Sequence, residues 1–155
     1  MKKYELTEET VTVYGKTLYR IRAVRDFGSV KTREFGGYIE KEENLSHFGN
    51  AWISGDARVS GDARVYGNAW VYGNAEVFNT RHFFVQGPIG SRDGYVTFYR
   101  TKDDTVEVRC GCFSGSLQKF VDRVEETHGG SRYEKEYKLA AELAKVCIRL
   151  EGESR

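Results

Sequence analysis

Cysteine and long apolar runs are both scarce in this chain of 155 residues, and each scarcity excludes a class of protein. The three cysteines, Cys110, Cys112 and Cys147, are an odd number and too few for a disulfide framework, which favours a reducing cytoplasm. No stretch approaches the roughly 20 apolar residues of a membrane span. The first residues carry two lysines with no apolar stretch behind them, so we expect no secretory signal.

Charge of one sign is also lacking. Lysine and arginine together number 24 and aspartate and glutamate 23, for a formal net charge of +1. This balance gives no electrostatic reason to expect binding to duplex nucleic acid, which depends on many cationic contacts to phosphates. Composition therefore indicates a cytoplasmic globular protein without membrane or duplex nucleic-acid partners.

A repeat is the most informative feature that is present. Residues 49–78 read GNAWISGDARVSGDARVYGNAWVYGNAEVF, five copies of a hexapeptide in which Gly, Asn or Asp, and Ala precede a variable residue, Val or Ile, and a second variable residue. The alanine and the aliphatic residue lie two apart and so point to one side of a short strand. Gly followed by Asn or Asp tolerates positive φ and suits a sharp corner. Each copy is therefore a short strand and a corner, and the strands must stack to bury their apolar side.

These residues resemble the hexapeptide-repeat left-handed β-helix. The resemblance implies that three hexapeptides form one coil of 18 residues, and that Trp52 lies above Trp70. The frame extends from Gly37 to Gly90, nine hexapeptides or about three coils, with Ile39 and Leu45 on small-residue positions. Arg81 would then point inside, so we expect a bulge or loop at residues 79–82. The aliphatic positions are Ile53, Val59, Val65, Val71 and Val77, and the small positions are Ala51, Ala57, Ala63, Ala69 and Ala75.

The segments on either side predict caps for this coil. Residues 10–22 read as a β-hairpin that turns at Gly15-Lys16, and a second hairpin turns at residues 102–104. Two helices follow, one with an apolar stripe that ends at Gly129-Gly130 and one that a capping-box pattern at Ser131 opens. We predict a mainly β fold: an N-terminal hairpin cap (residues 1–36), a short left-handed parallel β-helix (37–90), and a C-terminal hairpin with two α-helices (91–155).

Aromatic side chains fall on the outside of the predicted coil. Trp52, Trp70 and Tyr72 share one face, and Tyr66 lies on another with Phe48. Exposed contiguous aromatics usually mark an interaction surface. Three interpretations remain open: self-association, for which the resemblance favours a trimer, cover by the terminal elements, or a platform on which a planar ring stacks.

A second candidate site lies in GPIGSRDG, residues 87–94. Backbone N–H groups of Gly90 and Ser91 could form an anion-binding nest, and Arg92 could bind a phosphate. The loop could equally be only a tight exit from the last coil. Phe98, Arg100 and Arg109 on the adjacent hairpin add aromatic and basic groups, so we predict a phosphate-and-base site that needs no cofactor.

Catalytic and metal sites have weaker support. Cys110-Gly-Cys112 lacks a second pair at zinc-ligand spacing, so we predict no metal. The resemblance also raises acetyl-CoA-dependent acyl transfer, for which His82, placed outward, is the candidate base. We expect no enzyme of this kind, because no long loop interrupts the repeats.

Beyond the repeat, segments such as GPIGSRDGYVTFYRTKD and VRCGCFSGSLQKFVDRV resemble small proteins of phages and prophages. The leading hypothesis is a non-enzymatic homo-oligomer that sequesters a phosphate-bearing nucleotide second messenger in the host cytoplasm and so counters antiviral defence. The first alternative is a scaffold or an inhibitor that binds a host protein through the Trp52, Trp70 and Tyr72 face. The second alternative is the acyltransferase.

Overall fold

The computed structural model describes residues 1–151, and the chain divides into two compact units, residues 1–80 and residues from 81 onward. Both units contain β-strands, and the second also carries two α-helices, so the fold is mainly β as predicted. In the described residues no helix has the length and apolarity needed to cross a membrane. The first unit contains β1 (Tyr4–Val13), β2 (Lys16–Ala23), β3 (Phe35–Ile39), β4 (Trp52–Ile53), β5 (Arg58–Val59), β6 (Trp70–Val71) and β7 (Glu76–Val77), with a 3₁₀ helix at Glu42–Asn44. A 3₁₀ helix at Thr80–His82 precedes β8 (Phe83–Ile89), β9 (Gly94–Arg100), β10 (Val106–Cys110), β11 (Phe113–Ser116), α1 (Leu117–His128) and α2 (Arg132–Cys147).

The repeat forms stacked turns of chain with the predicted offset of 18 residues. Trp52 pairs in parallel with Trp70, and Arg58 pairs in parallel with Glu76. All five alanines and all five aliphatic residues of the repeat are at most 1% exposed, because both positions point inward. The glycine that opens each copy has φ between +63° and +71°, which is the left-handed conformation the corner requires.

An N-terminal hairpin extends one side of this stack. Strands β1 and β2 pair antiparallel around Tyr14 and Gly15, which confirms the predicted hairpin. Strand β2 pairs antiparallel with β3, and β3 pairs in parallel with β5, so that the sheet order is β1-β2-β3-β5-β7. The hairpin therefore joins the repeat edge to edge through β3.

Upstream of residue 49 the predicted frame is wrong by two residues. Ile39 lies opposite Val59, and Leu45 opposite Val65, both 20 residues apart instead of 18. The sequence separation between donor and acceptor in the backbone hydrogen bonds changes by two between positions 46 and 50, so the two extra residues lie there. Ile39 and Leu45 consequently occupy aliphatic positions of the turn, rather than the small positions assigned to them.

Downstream, the frame ends earlier than Gly90. Residues 80–82 form a 3₁₀ helix at the place where we expected a bulge or loop around Arg81. Strand β8 then pairs antiparallel with β9. The parallel stacking is confined to short strands within mixed sheets, so a clear three-coil left-handed helix is not what the structure shows. The physical reason is the loss of small inward residues after Ala75, which removes the space that another turn would need.

The first turn of the stack requires hydrogen-bond donors in place of a preceding turn. Within the stack, each turn's N–H groups donate to carbonyls of the next turn, as Trp52 does to Ala69 at 3.0 Å. The carbonyls of the first turn point the other way, to where no earlier repeat exists. On one side, β3 supplies backbone N–H groups, and the N–H of Tyr38 donates to the Ala57 carbonyl at 2.9 Å.

Lys3 supplies the donors on a second side. Its side chain is fully buried, and Nζ donates to the carbonyls of Ala51 at 2.7 Å and Gly49 at 3.4 Å. The ammonium also lies 4.7 Å from the centre of the Phe27 ring. Burial, and then the charge of Arg25, lowers the pKa of Lys3 from 10.5 to about 8.

Asn44 supplies the donors on the third side. Its Nδ2 donates to the carbonyls of Ala63 at 2.9 Å and Gly61 at 3.2 Å. Its Oδ1 accepts from the N–H groups of Lys41 and Glu40 at 3.0 and 3.2 Å. The side chain is fully buried, and one amide bonds four backbone groups, of which the Ala63 carbonyl is buried and the others are partly buried.

The second unit is an antiparallel sheet of order β11-β10-β9-β8 with both helices packed on one face. The predicted hairpin is β9 and β10, and the predicted stripe of α1 places Phe120 and Val124 in the core. The Ser116 hydroxyl accepts from the N–H of Lys119 at 3.2 Å and caps α1. The buried core consists of Val96, Phe98, Val108, Phe120, Val124, Tyr137, Ala140, Ala141, Ala144 and Ile148.

Candidate functional site

The loop between β8 and β9 is docked on α2. Gly90 has φ +82°, and a Cβ added there would overlap the Tyr137 hydroxyl, so only glycine fits. The N–H of Gly90 donates to Oε1 of Glu136 at 2.7 Å. The Gly90 N–H, one of the two amides predicted to bind an anion, therefore donates to a carboxylate of the chain's own second helix.

A groove runs beside this contact. Its volume is about 520 Å³, within the roughly 300–1,000 Å³ of small-molecule sites. One wall is the end of β8 and the loop that follows, and the other is the first turn and a half of α2. The lining residues are Pro88, Ile89, Gly90, Ser91, Asp93, Arg132, Tyr133 and Glu136.

Two arginines lie at the groove, whose lining also contains the carboxylates of Asp93 and Glu136. Arg132 has an 82% exposed side chain, and its Nε lies 3.9 Å from Glu136, a separation that leaves its donors largely in water. Arg92 is exposed on the loop, and its charge reaches Tyr137, where it opposes the rise in pKa that burial causes. The Ser131 hydroxyl donates to the His128 carbonyl at 2.6 Å rather than accepting from α2. The positive end of the α2 dipole thus adds to the two arginines.

Only part of the predicted ligand set comes together here. Gly90, Ser91 and Arg92 lie on the loop, as expected. Phe98 is fully buried against Phe84 and Phe120, so it belongs to the core.

Arg100, 2% exposed, is held 2.9 Å from Asp104 and 3.8 Å from Glu151. Arg109 pairs with Thr97 in the sheet, and strand alternation puts it on the face opposite Phe98. The three residues predicted from the hairpin therefore lie apart from the groove.

The aromatic face of the repeat differs from its prediction at Trp52. That side chain is fully buried, 5.2 Å from the Phe27 ring of the loop between β2 and β3, because this loop covers it. Trp70 is half-buried and donates from Nε1 to the Ser54 hydroxyl at 2.6 Å, and Tyr72 is also half-buried. Tyr66 is 67% exposed. Cover by a terminal element, one of the three interpretations, is what the structure shows for Trp52.

The α2 side of the groove was missed from the sequence. Arg132, Tyr133 and Glu136 lie some 46 residues beyond the loop, and no local pattern links them to it. The capping-box pattern did find the start of α2, but Glu134 accepts from the N–H of Gly130 at 3.0 Å instead of from Ser131. The charged residues in the first turn of α2, just after the Gly129-Gly130 pair that ends α1, were the sequence feature that could have pointed to this wall.

The remaining chemical candidates are placed as follows. His82 is 2% exposed in the 3₁₀ helix, contrary to the outward position expected of it. Cys112 is exposed and Cys110 half-buried, and burial raises the pKa of the Cys110 thiol. In the part of the chain that the structure describes, no group of three or more His, Cys, Asp or Glu side chains is placed to hold a metal ion.

Comparison with known proteins bears on the repeat alone. Among curated proteins, none matches this sequence. The model of the YdcK β-solenoid repeat matches residues 57–73 and, in the next register, residues 63–79. These residues are the ones that stack in parallel with inward alanine and valine, and the match supports a repeat of the β-solenoid type in this part of the chain.

Proposed function

We propose that the protein binds a phosphate-bearing small molecule in the groove between the Gly90 loop and the start of α2. The observation that carries this proposal is the hydrogen bond from the Gly90 N–H to the Glu136 carboxylate. An oxyanion already sits on the loop amide, which marks the position as suited to oxyanions. Glu136 then acts as an internal occupant that a better oxyanion displaces.

Two arginine side chains would balance the negative charge of the ligand. Arg132 lines the groove from the α2 side, Arg92 lies on the loop that forms the other wall, and both are exposed. Guanidinium groups bind phosphate oxygens through paired hydrogen bonds, each stronger than a neutral one. Tyr133 lines the same groove and offers a ring against which a base can stack. A nucleotide, with phosphate and planar base together, matches this arrangement.

The more specific parts of the hypothesis belong to the same proposal. We infer a non-enzymatic protein of phage origin whose hexapeptide coil, left-handed in its winding, serves as a rigid support. Its ligand would be a nucleotide second messenger of host defence, sequestered in the cytoplasm by a homo-oligomer. The sequence segments that resemble phage proteins support this origin, and the groove supports the class of ligand.

Thermal unfolding in the presence of candidate ligands tests the proposal. The panel consists of cyclic di- and trinucleotides, ADP-ribose derivatives, NAD and acetyl-CoA. A ligand at 100 times its dissociation constant adds about 2.7 kcal/mol of stability, which shifts the melting temperature visibly. A shift with acetyl-CoA alone would favour the acyltransferase hypothesis. No shift with any compound would favour the hypothesis of a protein-binding scaffold.

Substitution of the two arginines locates the site. Arg92→Ala combined with Arg132→Ala is expected to weaken binding of the active nucleotide about 100-fold, since each removes a charge-assisted contact. Arg64→Ala, an exposed arginine of the repeat, is the matched control and should leave affinity unchanged. Equal affinity in the double variant and the control would contradict the groove assignment.

The Glu136 side chain provides a test with the opposite sign. Glu136→Gln removes the internal negative charge beside Gly90, so a phosphate ligand is expected to bind several-fold more tightly. Glu126→Gln on α1 is the control, because this exposed glutamate lines a different groove. Calorimetric titration of both variants gives the ratio, and weaker binding by Glu136→Gln would show that its carboxylate supports the ligand instead of competing with it.

A further inference from the structure

Two of the three thiols lie two residues apart at the turn between β10 and β11. Cys110 pairs with Phe113 across this hairpin, so Gly111 and Cys112 form its two-residue turn. Gly111 has φ +57°, a conformation that tight turns of this kind require. Two residues of chain span at most about 7 Å, and a turn shortens that distance. The turn therefore brings the two α-carbons near the separation of about 4.4 to 6.8 Å that disulfides have.

The two thiols differ in exposure. Cys110 is half-buried and packs against the core of the second unit, whereas Cys112 is exposed. Burial raises the pKa of the Cys110 thiol, and the charge of a Cys112 thiolate adds to this rise, as it does only when the two groups are near each other. A reagent from solution therefore meets Cys112 first, and Cys110 is a second thiol close behind it.

A groove opens beside the exposed thiol. Its volume is about 410 Å³, with the hairpin turn on one side and α1 on the other. The α1 wall presents two cations, Lys119 and Arg123, and two carboxylates, Asp122 and Glu126. Asp122 also accepts from the Gln118 amide at 2.9 Å, and a neutral donor leaves its negative charge in place. Balanced charges of this kind complement a zwitterionic molecule, which carries both ammonium and carboxylate groups.

We propose that Cys110 and Cys112 form a redox-active dithiol that reduces a small disulfide with zwitterionic, amino-acid-like arms. In the first step the Cys112 thiolate attacks one sulfur of the substrate, a mixed disulfide forms, and one substrate thiolate leaves and takes up a proton. In the second step Cys110 gives up its proton and attacks the Cys112 sulfur, and the second substrate thiol is released. The chain loses two protons and two electrons, and the substrate gains both as two thiols.

The position of the pair suits exchange rather than a permanent bridge. Exposed disulfides are the easily reduced ones, and those of reducing compartments are mostly transient, with catalytic or sensing roles. The third thiol, Cys147, lies at the end of α2 and is not part of the groove lining. The proposal concerns the groove beside α1, so it stands whether or not a nucleotide binds beside Gly90.

Mass spectrometry of the reduced full chain after reaction with oxidised glutathione tests the two steps. Acid stops the reaction, and an alkylating reagent then marks the thiols that remain. The wild type is expected to lose two hydrogens, with a bridge between Cys110 and Cys112 and with Cys147 alkylated. A reaction that stops with glutathione on Cys112, a bridge to Cys147, or a bridge between two copies of the chain would each contradict the dithiol.

Single cysteine variants assign the order of attack. Cys110→Ser is expected to accumulate the mixed disulfide on Cys112, because the second thiol is missing. Cys112→Ser is expected to react about 10-fold more slowly or less, since Cys110 is half-buried. Cys147→Ser is the matched control and should react as the wild type does. Circular dichroism establishes that each variant is folded, and equal rates for Cys112→Ser and the wild type would overturn the assignment of the attacking thiol.

A comparison of two oxidants tests the class of substrate. Oxidised glutathione is zwitterionic, whereas bis(2-hydroxyethyl) disulfide is uncharged, and the ratio of their rates cancels differences in thiol reactivity. Lys119→Gln combined with Arg123→Gln is expected to lower this ratio about 10-fold at low salt. Lys102→Gln combined with Lys135→Gln removes two exposed cations outside the groove and should leave the ratio unchanged. The same ratio in both double variants would overturn the assignment of a zwitterionic substrate.

Discussion

Replacement of Asn44 by alanine is expected to lower the free energy of unfolding by about 3 to 4 kcal/mol. The side chain is fully buried and joins four backbone groups, two carbonyls of the first repeat turn and two N–H groups of the preceding segment. Alanine removes that partner from all four. The Glu40 N–H keeps its bond to the Val59 carbonyl at 3.1 Å, whereas the Ala63 carbonyl is left buried. Each buried polar group left unsatisfied costs about 1 to 3 kcal/mol, and partial relaxation keeps the total below the simple sum.

Urea unfolding at neutral pH measures this loss. Asn68→Ala is the matched control, since Asn68 holds the corner position of a repeat copy and is exposed. The control is expected to change stability by less than about 1 kcal/mol. If both variants lose the same small amount, Asn44 does not stand in for a missing turn, and the explanation of how the stack ends is wrong.

The second large effect concerns Lys3 and pH. In the folded chain its pKa is lowered to about 8, whereas in the unfolded chain it returns to about 10.5. Between these values the unfolded chain holds the proton and the folded chain does not, so this group makes stability rise with pH. The rise is about 3 kcal/mol from pH 8 to 10.5, and the slope falls toward zero about one pH unit below 8. The neutral amine still has two N–H donors for the two carbonyls it contacts.

Comparison of wild type with Lys3→Met isolates that slope from the other groups that titrate in the same range. The free energy of unfolding is measured at several pH values from 7 to 10, and the difference between the two proteins is plotted. The difference should shift in favour of the wild type as pH rises. A flat difference would mean that the ammonium is not desolvated by its burial against Ala51 and Phe27.

The parts of the fold that the sequence predicted well are those written in local patterns. The resemblance of the hexapeptides to a left-handed β-helix implied the 18-residue offset, and the pairing of Trp52 with Trp70 confirms it. The hairpin turn at Gly15 and the helix that ends near Gly129 have short-range signals as well. For the hairpin and the helix, the residues that carry the signal are within about seven positions of one another.

The ends of the stack depended on contacts that no local pattern records. Lys3 reaches Ala51 across 48 residues, and Asn44 reaches Ala63 across 19. Two extra residues between positions 46 and 50 shift the frame without disturbing the spacing on either side. Extension of a perfect period into neighbouring segments therefore misplaced Ile39 and Leu45, since the period alone cannot show where stacking stops.

The sequence pointed to one wall of the candidate groove, the loop between β8 and β9, and not to the other, α2. Glycine and arginine in the loop could be singled out by residue type, and the structure places Gly90 on one wall of the groove and Arg92 exposed on the same loop. Phe98 and Arg100 were assigned by alternation along a strand, but alternation does not say which face a helix pair will cover. Here the helices cover the face that carries Phe98. The opposite wall, from α2, came from the fold alone.

The most direct test of the proposed ligand site is a titration of the ¹⁵N-labelled protein with the nucleotide that stabilises it best, followed by amide chemical shifts. The account predicts that the largest changes fall on Gly90, Ser91 and Arg92 and on the first turn of α2, as the phosphate takes the place of Glu136. The corner glycines of the repeat should stay unchanged. Largest changes on the repeat, around Tyr66 and Trp70, with the Gly90 amide unmoved, would contradict the account.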